Sequence, residues 1–478
     1  MASIRLWSNV RRLVFGGAAG TLAAVLVHDR QSEAKGEEKK GAKGGEQAEQ
    51  TLLQKQPFEE AIKRADEVVR RYKEERGVPG ISVGVAVNGR VVWKTGYGYA
   101  DVENLAPCTG DSAMRIASIS KSLTMTLVAK LMQDSLLDLD APIQKYVPSF
   151  PEKEVNGEKV VITTRQLVSH LGGIRHYTKP DPTTTTADAV NQKSTGASDP
   201  SAQMEVCPTC QKPVAEPAKQ PQKATDLEQE EFYNQKQYDS IDEALHMFKD
   251  DPLVCKPGEK FLYTTHGWTL VSAVLEGASG REFAELFKDL FALFGMRTTY
   301  LDENGPLIPN RVSYYGRSGR GHRLVNVPSV NNSYKLAGGG VVSTVGDLLS
   351  FANGLLYFYE RCPDGARMSD CYLDRRTMST IWTPVEEVPA ARASEPRYAM
   401  GWSVAPDRSL RGDGQFFVGH TGGAVGATSV LLLRPRNEKA TGSLAVAVLM
   451  NMEGCGGVAQ LAVRLADIFD RSSAVQAA

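Results

Sequence analysis

The run Ile116-Ala-Ser118-Ile-Ser-Lys121-Ser-Leu-Thr-Met-Thr126 opens on a serine and places a lysine three residues behind it. In a helix, positions i and i+3 share a face, so Lys121 stands beside the Ser118 hydroxyl. That hydroxyl is a poor nucleophile near neutral pH and needs a base within hydrogen-bond reach. At a helix start, backbone N–H groups and the positive end of the dipole also face any oxyanion formed on the serine. The same place is the ordinary one for a serine N-cap. Ser-x-x-Lys recurs at Ser32 to Lys35, so the pattern alone leaves both readings open.

Outward from this run the chain has a recognisable order. Ile81 to Val87 and Arg90 to Tyr99 are two β-rich runs around Asn88-Gly89, residues that tolerate the positive φ of a type I′ turn, and so form a hairpin. Near the other end, Ala427 to Leu433 and Gly442 to Met450 flank a polar turn and are followed by a helical rhythm from Gly456 to Asp470. Between them the periodicity is helical, at Lys121 to Asp134, Thr164 to Ser169, Tyr263 to Leu275, Glu282 to Leu293 and Val345 to Leu356. The order predicts an α+β fold: an antiparallel sheet built from N- and C-terminal strands, flanked by helices, with an inserted, mostly helical subdomain.

The margins read differently. Residues 1–28 carry Arg5, Arg11 and Arg12, no acid, and an apolar run from Leu13 to Val27, which reads as a mitochondrial targeting segment, with an exported or membrane-anchored form as the alternative. Residues 29–56 hold little to bury and read as a disordered charged neck, so the folded domain is expected over 57–478, beginning with a helix closed by Gly77. A stretch of about 179–236, rich in Pro, Thr, Gln, Ala and Lys and without periodicity, reads as a mobile surface insertion. The chain of 478 residues has a formal net charge of −1 and 23% charged residues, with no basic excess that would suggest nucleic acid. Seven scattered cysteines cannot all pair and argue against a disulfide scaffold. The lone C-x-x-C, Cys207 to Cys210, has no second ligand pair nearby, so no metal or other cofactor is expected.

Two further stretches carry chemistry. In Pro257-Gly-Glu-Lys-Phe-Leu-Tyr263-Thr-Thr265-His266 a tyrosine precedes a helix, where it is either a cleft base beside a cation such as Lys121 or a core tyrosine with its hydroxyl satisfied; His266 reads as a helix-start residue. In Val418-Gly-His420-Thr-Gly-Gly423-Ala-Val-Gly426 the glycines suit either close approach to a substrate or a plain turn.

Taken together, the order Ser-x-x-Lys, Tyr before a helix, then His-Thr-Gly before a strand resembles the serine β-lactamases, penicillin-binding proteins and related esterases and peptidases, especially the class C branch. Gly96-Tyr-Gly-Tyr-Ala-Asp101, Leu167-Val-Ser-His170-Leu-Gly-Gly173 and Ala337-Gly-Gly-Gly340 look like blocks of that family. The resemblance implies a β-lactamase/transpeptidase-like fold in which Ser118 is acylated, Lys121 helps deprotonate it, and Tyr263 is base and later acid. It also implies that Thr265, His420, Thr421 and Gly422 line the substrate groove and that the N–H groups of Ser118 and Gly423 form the oxyanion hole. Two departures point toward a peptidase or esterase. The family's Tyr-x-Asn is Tyr263-Thr-Thr265 here, and its Lys-Thr-Gly is His420-Thr-Gly, which removes a permanent cation. Resemblance to the mitochondrial, animal members implies in addition a peptide or ester substrate, a homo-oligomer or filament in the intermembrane space, membrane association and an influence on mitochondrial lipid metabolism. A filament-forming scaffold with a residual site is the alternative to an enzyme.

Overall fold

Asn88 and Gly89 take φ values of 52° and 80° in the computed structural model, which describes residues 44–177, 231–318, 323–366, 371–385, 396–406, 416–436 and 442–477. These are the left-handed values of a type I′ turn, and they join β1 (Gly80–Val87) to β2 (Arg90–Asp101). On the free edge of β2 lies β3 (Ala106–Pro107); on the free edge of β1 lies β8 (Leu444–Met450), in register from Ile81↔Met450 to Val87↔Leu444. The sheet continues through β7 (Ala427–Arg434), β6 (Phe416–Ala424), β5 (Ser403–Pro406) and β4 (Arg397–Tyr398). Its eight strands run in the order β4-β5-β6-β7-β8-β1-β2-β3, all antiparallel. The two ends of the chain thus build one sheet, as the order of patterns predicts.

Every residue of β1 and β8 is buried, so both sheet faces are covered. Alternation sends Ile81, Val83 and Val85, with Val446 and Val448, against Ala65, Val69, Leu465 and Phe469 of α1 (Gly44–Arg76) and α6 (Val458–Ala477). Ala445, Ala447 and Leu449 point the other way, into the core with Val345, Leu348 and Phe351 of α5 (Val345–Arg361). Gly84 permits that contact, because a Cβ there would meet Leu349 Cδ1 at 2.8 Å. Beyond α5 lie α2 (Ile119–Gln133), α3 (Thr265–Ser279) and α4 (Phe283–Leu293). From Ile119 to Leu131 every residue of α2 is buried, which makes it the axis of the helical layer, with half-buried Ser118 just ahead of its first turn.

Two expectations need correction, and one disulfide is added to them. Helix α1 begins at Gly44 and not near Pro57. Its early residues are mostly Glu, Gln, Ala, Leu and Lys, good helix formers that propagate a helix once a packed segment has nucleated it. The insertion ends before Glu231 and not at Lys236, since Glu231 is buried and pairs with Arg175, and Tyr334 Oη donates to its carbonyl at 3.0 Å. One disulfide does form, Cys362–Cys371, because the chain reverses between the end of α5 and the helix Arg375–Trp382; Cys108, Cys255 and Cys455 are free. Residues 1–43, the bulk of the insertion and the Cys207 to Cys210 pair lie outside the described residues, among which no helix is long and apolar enough to cross a membrane.

Candidate active site

Ala117, just before the serine, has φ +49°, a conformation that costs a non-glycine residue energy and that clusters at functional turns. Two bonds hold it there: Ile116 N–H donates to Val341 O at 3.0 Å and Ser120 N–H to Ala117 O at 2.9 Å. Ser118 then occupies the N-cap position of α2, yet its side chain makes no capping bond. Its Oγ instead accepts from Lys121 Nζ at 2.9 Å and from Tyr263 Oη at 2.8 Å. Lys121 is fully buried; its Nζ also donates to Gly338 O at 2.7 Å and lies 4.8 Å from the Tyr263 ring centre. Ser118 and Tyr263 are only partly buried, so the cluster opens to solvent through them.

Tyr263 is held by what surrounds the start of α3. Thr264 caps that helix through Gly267 N–H, and its hydroxyl donates to Arg175 O at 2.6 Å. A Thr264 cap of this kind is worth about 1 kcal/mol. The His170 ring lies 4.2 Å from the Tyr263 ring at 33°, supporting it from beneath. His170 is fully buried, has φ +60°, and accepts Thr264 N–H at Nδ1 (3.1 Å). Nε2 therefore carries the proton of the neutral ring and donates to Tyr398 Oη at 3.2 Å. Tyr398 in turn donates to His420 Nε2 at 3.0 Å, while His420 Nδ1–H donates to Thr421 O at 2.6 Å. The directions close with both rings neutral. Burial holds the His170 imidazole well below its ordinary value, and the nearby Lys121 ammonium adds to that.

The remaining expected residues fall in two groups. Gly422 lies against the nucleophile turn: a Cβ there would come within 2.5 Å of Ile116 O and 2.9 Å of Ala117 Cβ, and Ser429 Oγ donates to the same Ile116 carbonyl at 2.8 Å. Close approach of strand to turn, rather than of strand to substrate, is what this glycine allows. Gly423, next in β6, is exposed. His420, read as lying just before the C-terminal hairpin, is within β6, and both nitrogens of its buried ring are engaged, with Tyr398 and Thr421, and do not face the groove. Thr421 Oγ1 is buried and has no hydrogen-bond partner among the described residues. Thr265 is buried with its methyl toward Gly338, beside the carbonyl that receives Lys121.

A family model described as Beta-lactamase matches residues 65–468. The chain belongs to the beta-lactamase family. It is 41% identical over 454 residues to the mouse protein "Serine beta-lactamase-like protein LACTB, mitochondrial", covering 87% of this chain and 82% of that one. The human protein of the same name is 41% identical over 442 residues, covering 87% and 80%. Among solved structures, the octameric penicillin-binding protein homologue from Pyrococcus abyssi aligns with a TM-score of 0.60 at 22% identity, over 84% of this chain and 76% of that one. A class C beta-lactamase aligns at 0.58 and 15% identity, over 85% and 96%. These two likenesses concern the fold, which is that of beta-lactamases and penicillin-binding proteins.

Within this beta-lactamase fold three contributors escaped the sequence reading. Gly338 and His170 stand in stretches quoted above, but nothing in those stretches announces a lysine acceptor or a ring support. Tyr398 carried no signal, since its partners lie 228 and 22 positions away. His266 is at the helix start as read, and additionally pairs with Glu231 at 2.9 Å.

Proposed function

We propose that this chain is a mitochondrial serine hydrolase that cleaves a peptide, amide or ester through an acyl-serine. The observation that carries the proposal is the convergence of Lys121 Nζ and Tyr263 Oη on an Oγ that does not cap its helix. With one proton removed from the Lys121–Tyr263 pair, Ser118 Oγ attacks the substrate carbonyl as its own proton passes to that pair. The N–H groups of Ser118 and Gly423 receive the oxyanion. The C–N or C–O bond then breaks and the leaving group takes the proton. Water repeats the sequence on the acyl-enzyme, giving the acid and returning a proton to Ser118. The relatives' printed location, mitochondrial, supports the compartment.

Intact-mass spectrometry of the protein after treatment with a fluorophosphonate tests this directly. A single adduct on Ser118, absent from Ser118→Ala and Lys121→Ala, is the expected result; no adduct on folded wild-type protein leaves a scaffold without catalysis. On the family resemblance we also propose self-association into filaments in the intermembrane space, with a bearing on mitochondrial lipid metabolism. Light scattering that finds only monomer across the micromolar range would remove the assembly part.

A further inference from the structure

The strand that carries His420 offers no cation to the groove, but another element does. Lys335 ends the short turn Ser333–Lys335 and is 5% exposed. Its Nζ lies 5.1 Å from the ring centre of Tyr334 and 5.9 Å from those of Tyr177 and Phe232. Among the described residues no carboxylate pairs with it and no oxygen accepts its protons, in contrast to Arg115, Lys130 and Arg175, whose buried charges all meet a carboxylate. Aromatic faces attract an ammonium but do not neutralise it, and a cation on a largely buried side chain without a counter-ion attracts an anion more strongly than one in open water.

The position of Lys335 joins it to the nucleophile. A Cβ on Gly339 would stand 4.0 Å from Lys335 Cδ and 3.9 Å from the carbonyl carbon of Ala117, the residue before Ser118, so only the bare Gly339 separates the lysine stem from the nucleophile turn. From the other side, the His176 ring stacks on Tyr177 at 3.9 Å and meets the Tyr263 ring edge-on at 6.2 Å. The backbone beneath Lys335 is fixed: its N–H donates to Asn332 O at 3.1 Å, Asn332 donates to Asp302, and Asp302 is paired with buried Arg115 at 2.7 Å. Thr269 Oγ1 donates to Tyr334 O at 2.8 Å. A lysine held this firmly, facing Tyr177, whose stacked neighbour His176 borders Tyr263, is a preorganised cation.

Resting on the hydrolase reading above, we propose that Lys335, framed by Tyr177, Phe232 and Tyr334, is an anion-binding subsite beside Ser118 that receives a carboxylate of the substrate. The enzyme therefore prefers acidic peptides or esters to neutral ones of the same shape. The carboxylate lies on either the acyl part or the leaving group, and two isosteric pairs separate these: N-acetyl-Glu against N-acetyl-Gln 4-nitroanilide, and 4-acetoxybenzoate against 4-acetoxybenzamide.

Wild-type protein is expected to favour the charged member of at least one pair by about tenfold or more in kcat/KM, mainly through KM, as for a desolvated charge pair. In Lys335→Met the ratio falls to near one, and in Lys335→Arg most of it survives. A ratio near one for both pairs in wild type, or an undiminished ratio in Lys335→Met, overturns the proposal and leaves Lys335 a structural cation. A binding readout is independent of catalysis: glutarate at low ionic strength raises the Tm of Ser118→Ala, and the shift is absent from Ser118→Ala/Lys335→Met. If Lys335→Met does not fold, Lys335→Gln takes its place in both measurements. Failure of fluorophosphonate labelling would sink the hydrolase reading; the glutarate shift would still decide the subsite.

Discussion

Two buried polar clusters meet at the first turn of α3, and they settle their charge in different ways. On one side Arg175 donates to both oxygens of Glu231 at 2.8 and 2.9 Å and to Asp251 at 2.6 Å, with His266 on Glu231 at 2.9 Å. Burial alone would raise the Glu231 carboxyl, but the bonds from His266 and Arg175 hold it below its usual range. On the other side Lys121 and Tyr263 aim at one hydroxyl, next to residues at φ +49° and +60°. The first cluster matches each cation with an anion and rests on relaxed backbone. The second concentrates donors and strain on a single oxygen. Damage to the first should therefore appear as lost stability, and damage to the second as lost rate.

The largest break expected is at Ser118. Its replacement by alanine abolishes the fluorophosphonate adduct, while stability falls by only about 0.5–1.5 kcal/mol, as for loss of a side-chain acceptor that caps nothing. Tyr263→Phe keeps the ring on His170 and removes only the hydroxyl, so the labelling rate should drop by about 10²–10⁴-fold with little change in Tm. Glu231→Gln tests the opposite half. Removing one of the two carboxylates on Arg175, with Asp251 still in place, should cost about 1–3 kcal/mol in urea unfolding, whereas the labelling rate of the molecules that remain folded should stay near wild type. Equal losses of rate in both variants would dissolve the distinction between the clusters.

A milder test uses pH. His170 is depressed in the folded chain, relative to an ordinary value of 6.5. Its contribution is complete above about pH 6.5 and is lost as pH falls, because the unfolded chain binds a proton that the buried ring refuses. Tm should therefore decline from pH 7.5 to 5.5, and the decline should be shallower in His170→Gln. The smallest effect is expected from the insertion. Deleting residues 179–230 should leave Tm nearly unchanged, while a deletion reaching 236 also removes Glu231 and should reproduce much of the Glu231→Gln loss.

Much of this was legible where the signal is local. Asn88-Gly89 between two β-rich runs specifies its hairpin through backbone sterics alone, and the three-residue step from Ser118 to Lys121 puts both on one helical face. Tyr263 could be read as a base or as a core tyrosine until Ser118 was seen 2.8 Å away, across 145 residues of chain. His420 shows the limit most clearly. Its motif was read as preceding the C-terminal hairpin, whereas it lies in β6, and the direction of its ring depends on Tyr398 and His170, which no local spacing connects.

By itself, then, the sequence determined the two hairpins at the chain ends, the main helices between them, their joining into one sheet, and the nucleophile–lysine step, because these follow from periodicity and short-range geometry, while the shorter edge strands and the strand of His420 went unread. Only the tertiary structure decided that Gly422 serves the nucleophile turn, that Glu231 belongs to the core, and that Lys335 rather than His420 stands as a cation near Ser118. The reason is that burial and pairing of charge depend on which distant segments arrive at the same place, and that is a property of the packed chain.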